Sequence, residues 1–237
     1  MKKATSSVTR KAILIYSGGM DSTTLLYSLI SEGYLVKALG VDYGQRHLKE
    51  LDSARTVCEA QGIEFQIANL SSIRALFGQN ALTNTSVEVP EEAYDAENMK
   101  VTVVPNRNML MLAVAISWAI GSEFRTVAYA AHAGDRAVYP DCRNEFVEAL
   151  GRAAELCDFK PIEILSPFIR MSKAEIVSIG SKLRVPFHLT WSCYKGEALH
   201  CGTCGTCHQR AEAFLISGVP DPTHYATPPK IEQHRRL

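Results

Sequence analysis

Two kinds of apolar pattern alternate along the chain. The run Ala12-Ile13-Leu14-Ile15-Tyr16 is unbroken, as expected of a strand buried on both faces of a sheet. Ser17-Gly18-Gly19 interrupts it. Residues 22–32 then carry Leu25, Leu26, Leu29 and Ile30 on one helical face. The alternation repeats: strands are predicted at 35–41, 64–69, 126–130 and 162–165, and helices at 47–61, 108–121, 145–157 and 172–183. Ser172 followed by Glu175 reads as a capping box at the start of the last of these helices. Strands alternating with helices predict an α/β fold, a Rossmann-like parallel sheet with helices on both faces. Residues 71–101 show no period and read as an insertion or a flexible lid over the sheet. A disordered tail is expected over 1–10, one domain over 11–237, and poor order again over 227–237.

Composition narrows the class. Lys plus Arg equals Asp plus Glu, at 25 each among 237 residues, so no electrostatic footprint for direct nucleic-acid binding is expected. The apolar run at 12–16 is too short for a signal peptide. The longest apolar segment, 109–120, falls short of the ~20 residues of a membrane span. No membrane partner and a cytoplasmic location are therefore expected. Cytoplasmic thiols are kept reduced, which argues against stable disulfides among the seven cysteines.

The loop Tyr16-Ser17-Gly18-Gly19-Met20-Asp21-Ser22 lies between the first strand and the first helix. In open parallel sheets ligands bind beyond the carboxyl ends of the strands. Two glycines admit a phosphate close to the backbone, and a helix start offers free N–H groups to its oxygens. The Walker loop needs a Gly-Lys-Ser/Thr ending and the dinucleotide fingerprint needs G-x-G-x-x-G; neither is present. The plainer use of Ser-Gly-Gly is to turn a corner.

S-G-G-M-D-S resembles the pyrophosphate-binding loop of the ATP pyrophosphatases, enzymes of adenine nucleotide alpha hydrolase-like fold that cleave ATP between its α and β phosphates. Five further stretches follow in order: Asp42-Tyr43-Gly44-Gln45-Arg46-His47, Val104-Pro105-Asn106-Arg107-Asn108, Tyr139-Pro140-Asp141-Cys142-Arg143, Lys173-Ala174-Glu175-Ile176 and Thr190-Trp191-Ser192-Cys193-Tyr194. Together with the terminal cysteines they resemble the 7-cyano-7-deazaguanine synthase family of queuosine biosynthesis, over roughly residues 12–222. The resemblance implies an ATP-binding stretch of Tyr16, Ser17, Gly18, Gly19, Met20, Asp21, Ser22, Thr23, Thr24, Leu25 and Leu26, with Asp21 placing the magnesium ion. It implies catalytic duties for Asp21, Arg107 and Lys173, and substrate contacts for Asp42, Arg46, Asp141 and Arg143. Chemistry agrees in kind, since guanidinium forks suit phosphate or carboxylate and Asp42 suits the donor edge of a purine-like base. Each residue also has a bland use: arginines on loops and Lys173 on a helix are often merely solvated, and Asp42 or Asp141 can cap a turn. Lys195 and Arg210 are further basic groups that could reach the nucleotide.

Four of the seven cysteines crowd into fifteen residues, as Cys193, Cys201, Cys204 and Cys207. The C-x-x-C-x-x-C spacing with one cysteine upstream suits a tetrahedral zinc ion within a segment spanning 190–222. An iron–sulfur cluster also takes four cysteines, but its usual bacterial run continues to another cysteine and proline after Cys207, absent here. His200 and His208 flank the cluster as alternative ligands; the resemblance assigns the four cysteines. A zinc ion with four thiolates has no open position and is structural.

The resemblance further implies the reaction. 7-Carboxy-7-deazaguanine is adenylated by ATP with magnesium, ammonia makes the amide, and a second ATP activates the amide for loss to the nitrile. A homodimer is expected from the family alone. Two alternatives remain: a related ligase that passes a deazaguanine to a protein or tRNA, and a zinc-bearing module that binds nucleotide without turnover.

Overall fold

The structure, a computed structural model, describes residues 9–91 and 97–231. Five strands form one parallel sheet: β1 (Lys11–Ile15), β2 (Leu35–Asp42), β3 (Glu64–Asn69), β4 (Thr126–Ala128) and β5 (Glu163–Leu165), in the spatial order β3-β2-β1-β4-β5. The helices are α1 (Met20–Ser31), α2 (Lys49–Gln61), α3 (Arg107–Gly121), α4 (Asn144–Glu155), α5 (Lys173–Lys182) and α6 (Gly205–Ser217).

Strand side chains alternate between two buried faces, so both faces are apolar. Ile13, Leu39, Val41 and Val127 pack with Leu112, Ala115 and Ile116 of α3 and Leu150 and Ala154 of α4. Ala12, Leu14, Val36, Ala38 and Ala128 pack with Leu25, Leu26 and Leu29 of α1, Ala54 and Val57 of α2, and Ile176 of α5. The Rossmann-like sheet expected from the alternating pattern is what forms. Strand order reverses between β1 and β4, opening a crevice at their carboxyl ends.

Four details differ from the sequence expectations. α1 begins at Met20 rather than at residue 22, which brings Asp21 into its first turn. α6 was not foreseen, because Cys201-Gly-Thr-Cys-Gly reads as loop; the helix starts right after Cys204 and carries Cys207 in its first turn. Residues 227–231 are tied down, with Thr227 N donating to Cys201 O at 3.2 Å and Lys230 O bonded to His208 Nδ1 at 3.1 Å. The insertion at 71–101 forms two 3-10 helices, Ser71–Phe77 and Asn98–Thr102, and packs Phe77 and Leu82 against the sheet end with Val104. The tail expected at 1–10 falls outside the described residues up to position 8, as do 92–96 within the insertion and 232–237 at the end. Among the described residues no helix is long and apolar enough to cross a membrane.

Candidate active site

The crevice opens into a cleft of about 1170 Å³, its mouth included. The space open to the centre of a water molecule is about 230 Å³, just below the usual range of ligand pockets. The glycine loop forms one wall through Tyr16, Ser17, Gly19, Asp21 and Ser22. Tyr43, Arg46, Arg107 and Tyr194 also line the cleft, as does Glu50, whose helix adjoins the glycine loop at Gly18.

The loop's shape follows from its glycines. Gly18 has φ 76°, and a Cβ there would lie 2.5 Å from Ala54 N and against Glu50 O. α2 is therefore pressed onto the loop backbone, and only glycine fits between them. Ser17 Oγ bonds Ser22 Oγ at 3.1 Å and accepts from Gly19 N at 3.2 Å, which folds the loop back over the α1 start. The rest of the implied ATP stretch packs elsewhere. Met20 joins a core cluster with Phe187 and Phe214, and Leu25 and Leu26 are buried under the sheet. Thr23 Oγ1 donates to Gly19 O at 2.8 Å and shares a hydrogen bond with Tyr16 OH at 3.1 Å, and Thr24 Oγ1 donates to Met20 O at 2.8 Å. These residues hold the loop's shape from behind.

Asp21 meets two basic groups. Its Oδ2 lies 3.2 Å from Lys173 Nζ and 3.7 Å from His132 Nε2, while its Oδ1 is buried with no hydrogen-bond partner. His132 Nε2 also faces Asp135 Oδ2 at 3.3 Å, and Lys173 Nζ donates to Gln209 Oε1 at 2.6 Å. An orphaned, buried carboxylate oxygen beside the glycine loop suits a hard cation such as magnesium. Lys173, on the first turn of α5, is thus turned into the site and not out to water.

Arg107 is delivered by a strained residue, Asn106, with φ 57°. Asparagine tolerates that conformation better than most residues. The Arg107 guanidinium lies 5.6 Å above the Tyr43 ring, with Nη1 3.4 Å from Tyr43 OH. Burial works against its charge, but Tyr43, Tyr194 and Tyr139 outweigh that and hold it well above the ordinary arginine value. Burial raises Tyr43 as well. Glu50, in the first turn of α2, is pushed up to about 7 by burial, with Arg107 pulling the other way. Arg46 Nη1 donates to Ala81 O at 3.0 Å, which ties the insertion to the rim.

The remaining implied substrate residues stand outside the cleft lining. Asp42 Oδ1 accepts from Gly44 N at 2.9 Å, closing a turn after β2. Asp141 Oδ2 accepts from Asn108 N at 3.0 Å and so caps α3 next to Arg107. Arg143 is exposed, its Nε donating to Arg136 O at 3.2 Å. Lys195 pairs with Glu91 away from the cleft. Arg210 is fully buried and spends its donors on Thr223 Oγ1 (2.6 Å), Thr190 Oγ1 (2.8 Å), Ser192 Oγ (3.0 Å) and Phe187 O (2.8 Å). Sequence reasoning passed over Glu50 because an acid in a helical first turn is common for dipole reasons alone. His132 and Asp135 follow β4 directly, and a polar turn just past a strand end was their only signal.

Cys193, Cys201, Cys204 and Cys207 are buried, and their sulfur atoms all lie within 4.8 Å of one another. A tetrahedral zinc–thiolate site requires about 3.8 Å between sulfurs, from Zn–S bonds of about 2.3 Å. Cys201 and Cys207 already stand at 3.9 Å. Amide N–H groups of Thr203 and Cys204 point at Cys201 Sγ at 3.4 and 3.3 Å, the usual support of a metal thiolate. His200 Nε2 accepts from Ser192 N at 3.1 Å, and His208 faces Lys230 O, so both rings are used elsewhere. The cluster meets the cleft through one short segment. Trp191 N donates to Gly18 O at 3.0 Å, and Tyr194, next to Cys193, lines the cleft.

With this geometry in view, comparison with known proteins decides the family. The model of the queuosine biosynthesis protein QueC matches residues 11–218. The chain belongs to this family. It is 48% identical to the 7-cyano-7-deazaguanine synthase of Caldicellulosiruptor saccharolyticus over 91% of this chain and 95% of that one. It is 49% identical to the enzyme of the same name from Methanoregula boonei over 91% and 99%. A 4-thiouridine synthetase in complex with RNA and ATP superposes with TM-score 0.51 at 15% identity, covering 90% of this chain and 51% of that one, a likeness of fold. Membership of this family makes the chain an enzyme of queuosine biosynthesis, and ATP-dependent ligase-type activity fits its fold.

Proposed function

We propose that the chain converts 7-carboxy-7-deazaguanine and ammonia to 7-cyano-7-deazaguanine at the cost of two ATP, in the cytoplasm. The supporting observation is what one cleft brings together: a glycine loop, an aspartate whose buried Oδ1 has no hydrogen-bond partner, and two guanidiniums. The loop and the α1 start take the β and γ phosphates. Asp21 Oδ1 would hold a magnesium ion, which when bound would supply charge neutralisation at the pyrophosphate. Lys173 stands beside the same phosphates. Arg107 and Arg46 attract the substrate carboxylate and hold it in line with the α-phosphorus. Carboxylate oxygen is a poor leaving group and adenylate a good one, so the first ATP opens the way to the amide and the second to the nitrile. No nucleophilic side chain is needed.

Zinc is the ion the four cysteines fit best, and the iron–sulfur alternative lacks its further cysteine. Bound by these four thiolates, it would fix Trp191 against the loop and Tyr194 at the cleft and would leave no open position for chemistry. A homodimer fits the family resemblance and is tested by light scattering.

The deciding experiment supplies the carboxy substrate, ammonium, magnesium and ATP, and follows nitrile by mass spectrometry and pyrophosphate by coupled assay. Nitrile with two equivalents of pyrophosphate is expected. Adenylation without nitrile, but with label transferred to added tRNA or protein, would indicate a macromolecular acceptor instead. Asp21→Ala should abolish pyrophosphate release while the melting temperature stays within a few degrees; retained turnover would remove the magnesium role.

A further inference from the structure

In the reaction proposed above, on which this inference rests, the nitrogen enters as ammonium with four protons and leaves as a nitrile with none. The first of these protons has to be removed before the nitrogen has a lone pair with which to attack. Three acids line the cleft: Asp21, Glu50 and Asp135. Asp21 is paired with Lys173 and aimed at the phosphates, and Asp135 faces His132. Among the described residues the Glu50 carboxyl makes no hydrogen bond and no close ion pair. Arg46, Arg107, Tyr43, Tyr194 and His47 line the same cleft. The His47 ring is wedged against the backbone of Gly196 and the edge of Trp191, at 6.4 Å between centroids. Tyr43 and Tyr129 are kept protonated by burial.

We propose that Glu50 is the general base that deprotonates the incoming ammonium. A carboxylate beside the acyl site first attracts the cation and then takes one of its protons. As that proton passes to a Glu50 carboxylate oxygen, the freed nitrogen lone pair attacks the acyl carbon. The adduct collapses, the carbon–oxygen bond to adenylate breaks, and AMP leaves with its electron pair. The second surplus N–H proton goes to solvent, leaving the amide and a protonated Glu50 that releases its proton before the next step. Burial supports the role, since it sets this carboxyl near neutrality, where an acceptor is ionised yet still basic.

The test separates adenylation from amide formation. Glu50→Gln should release pyrophosphate from ATP and the carboxy substrate at close to the wild-type rate. With ammonium it should form amide about 100-fold more slowly, the low end of general-base contributions. Hydroxylamine is unprotonated at neutral pH, and with it the variant should make hydroxamate nearly as fast as the wild type. Glu50→Asp, which keeps the carboxyl, should recover part of the ammonium-dependent rate. Undiminished amide formation by Glu50→Gln would overturn the proposal. So would equal losses with ammonium, with hydroxylamine and in pyrophosphate release, which would mark a structural part. A wild type that releases no pyrophosphate with the acid would overturn the reaction itself, and this inference with it.

Discussion

Gly18 shows how much a single missing side chain decides. Its φ of 76° costs an L-residue about 1–2 kcal/mol, and any Cβ would also meet the backbone of α2. Gly18→Ala should therefore weaken ATP binding at least tenfold, about 1.4 kcal/mol, and lower the melting temperature; calorimetry reads both. Glu50 gives a second expectation at this scale. Its folded value, about 7, lies above the ordinary 4.5 of an unfolded chain. Below 4.5 both states are protonated and the group costs nothing. Between 4.5 and 7 the unfolded chain ionises while the folded one resists, so stability falls as pH rises, by no more than about 3 kcal/mol. Glu50→Gln should lack this fall. Urea unfolding of both proteins from pH 4.5 to 8 would show the variant gaining on the wild type up to pH 7 and then holding level.

At the scale of elements, the C-terminal portion is bound together by one buried cation. Arg210 on α6 reaches Phe187 in the turn after α5, Thr190 and Ser192 before the cysteine cluster, and Thr223 beyond the helix. An apolar side chain of similar length would fill the space but leave those oxygens unpaired in the interior, at about 1–3 kcal/mol each. Arg210→Met should cost more than about 3 kcal/mol in chemical denaturation, with ATP affinity changed far less than stability. The same logic explains why α3 starts where it does. Asp141 caps it from a distant loop, and that cap fixes Arg107 at the cleft. A residue implied as a substrate contact thus has a use in placing its neighbour.

The whole molecule joins a sheet end to a four-cysteine segment able to hold a metal ion. Trp191 bonded to Gly18 and Tyr194 in the cleft lining connect the four cysteines to the glycine loop. Metal loss should therefore damage the active site indirectly. Cys204→Ser is expected to hold less than one metal ion per chain by plasma emission spectrometry, to melt at lower temperature, and to lose pyrophosphate release in step with metal content. Full activity in metal-free protein would contradict this coupling.

The amino-acid pattern alone determined the alternation of strands and helices, the glycine loop after β1 and the cysteine spacing, because each is a local property with a fixed period. It also placed the capping box at Ser172 and Glu175, which the structure reproduces. It did not reveal α6, whose first turn is disguised by glycine and cysteine and is held by packing on α5. Nor did it tell which charged residues turn inward. Lys173 had a catalytic reading from the resemblance and a solvated one from its helix, and only the fold put it 3.2 Å from Asp21; Glu50 gave no signal until the fold placed it in the cleft lining. Asp42 and Arg143, by contrast, found partners in their own loops. Partners from remote parts of the chain give a charge its task, and only the folded packing brings those partners within reach.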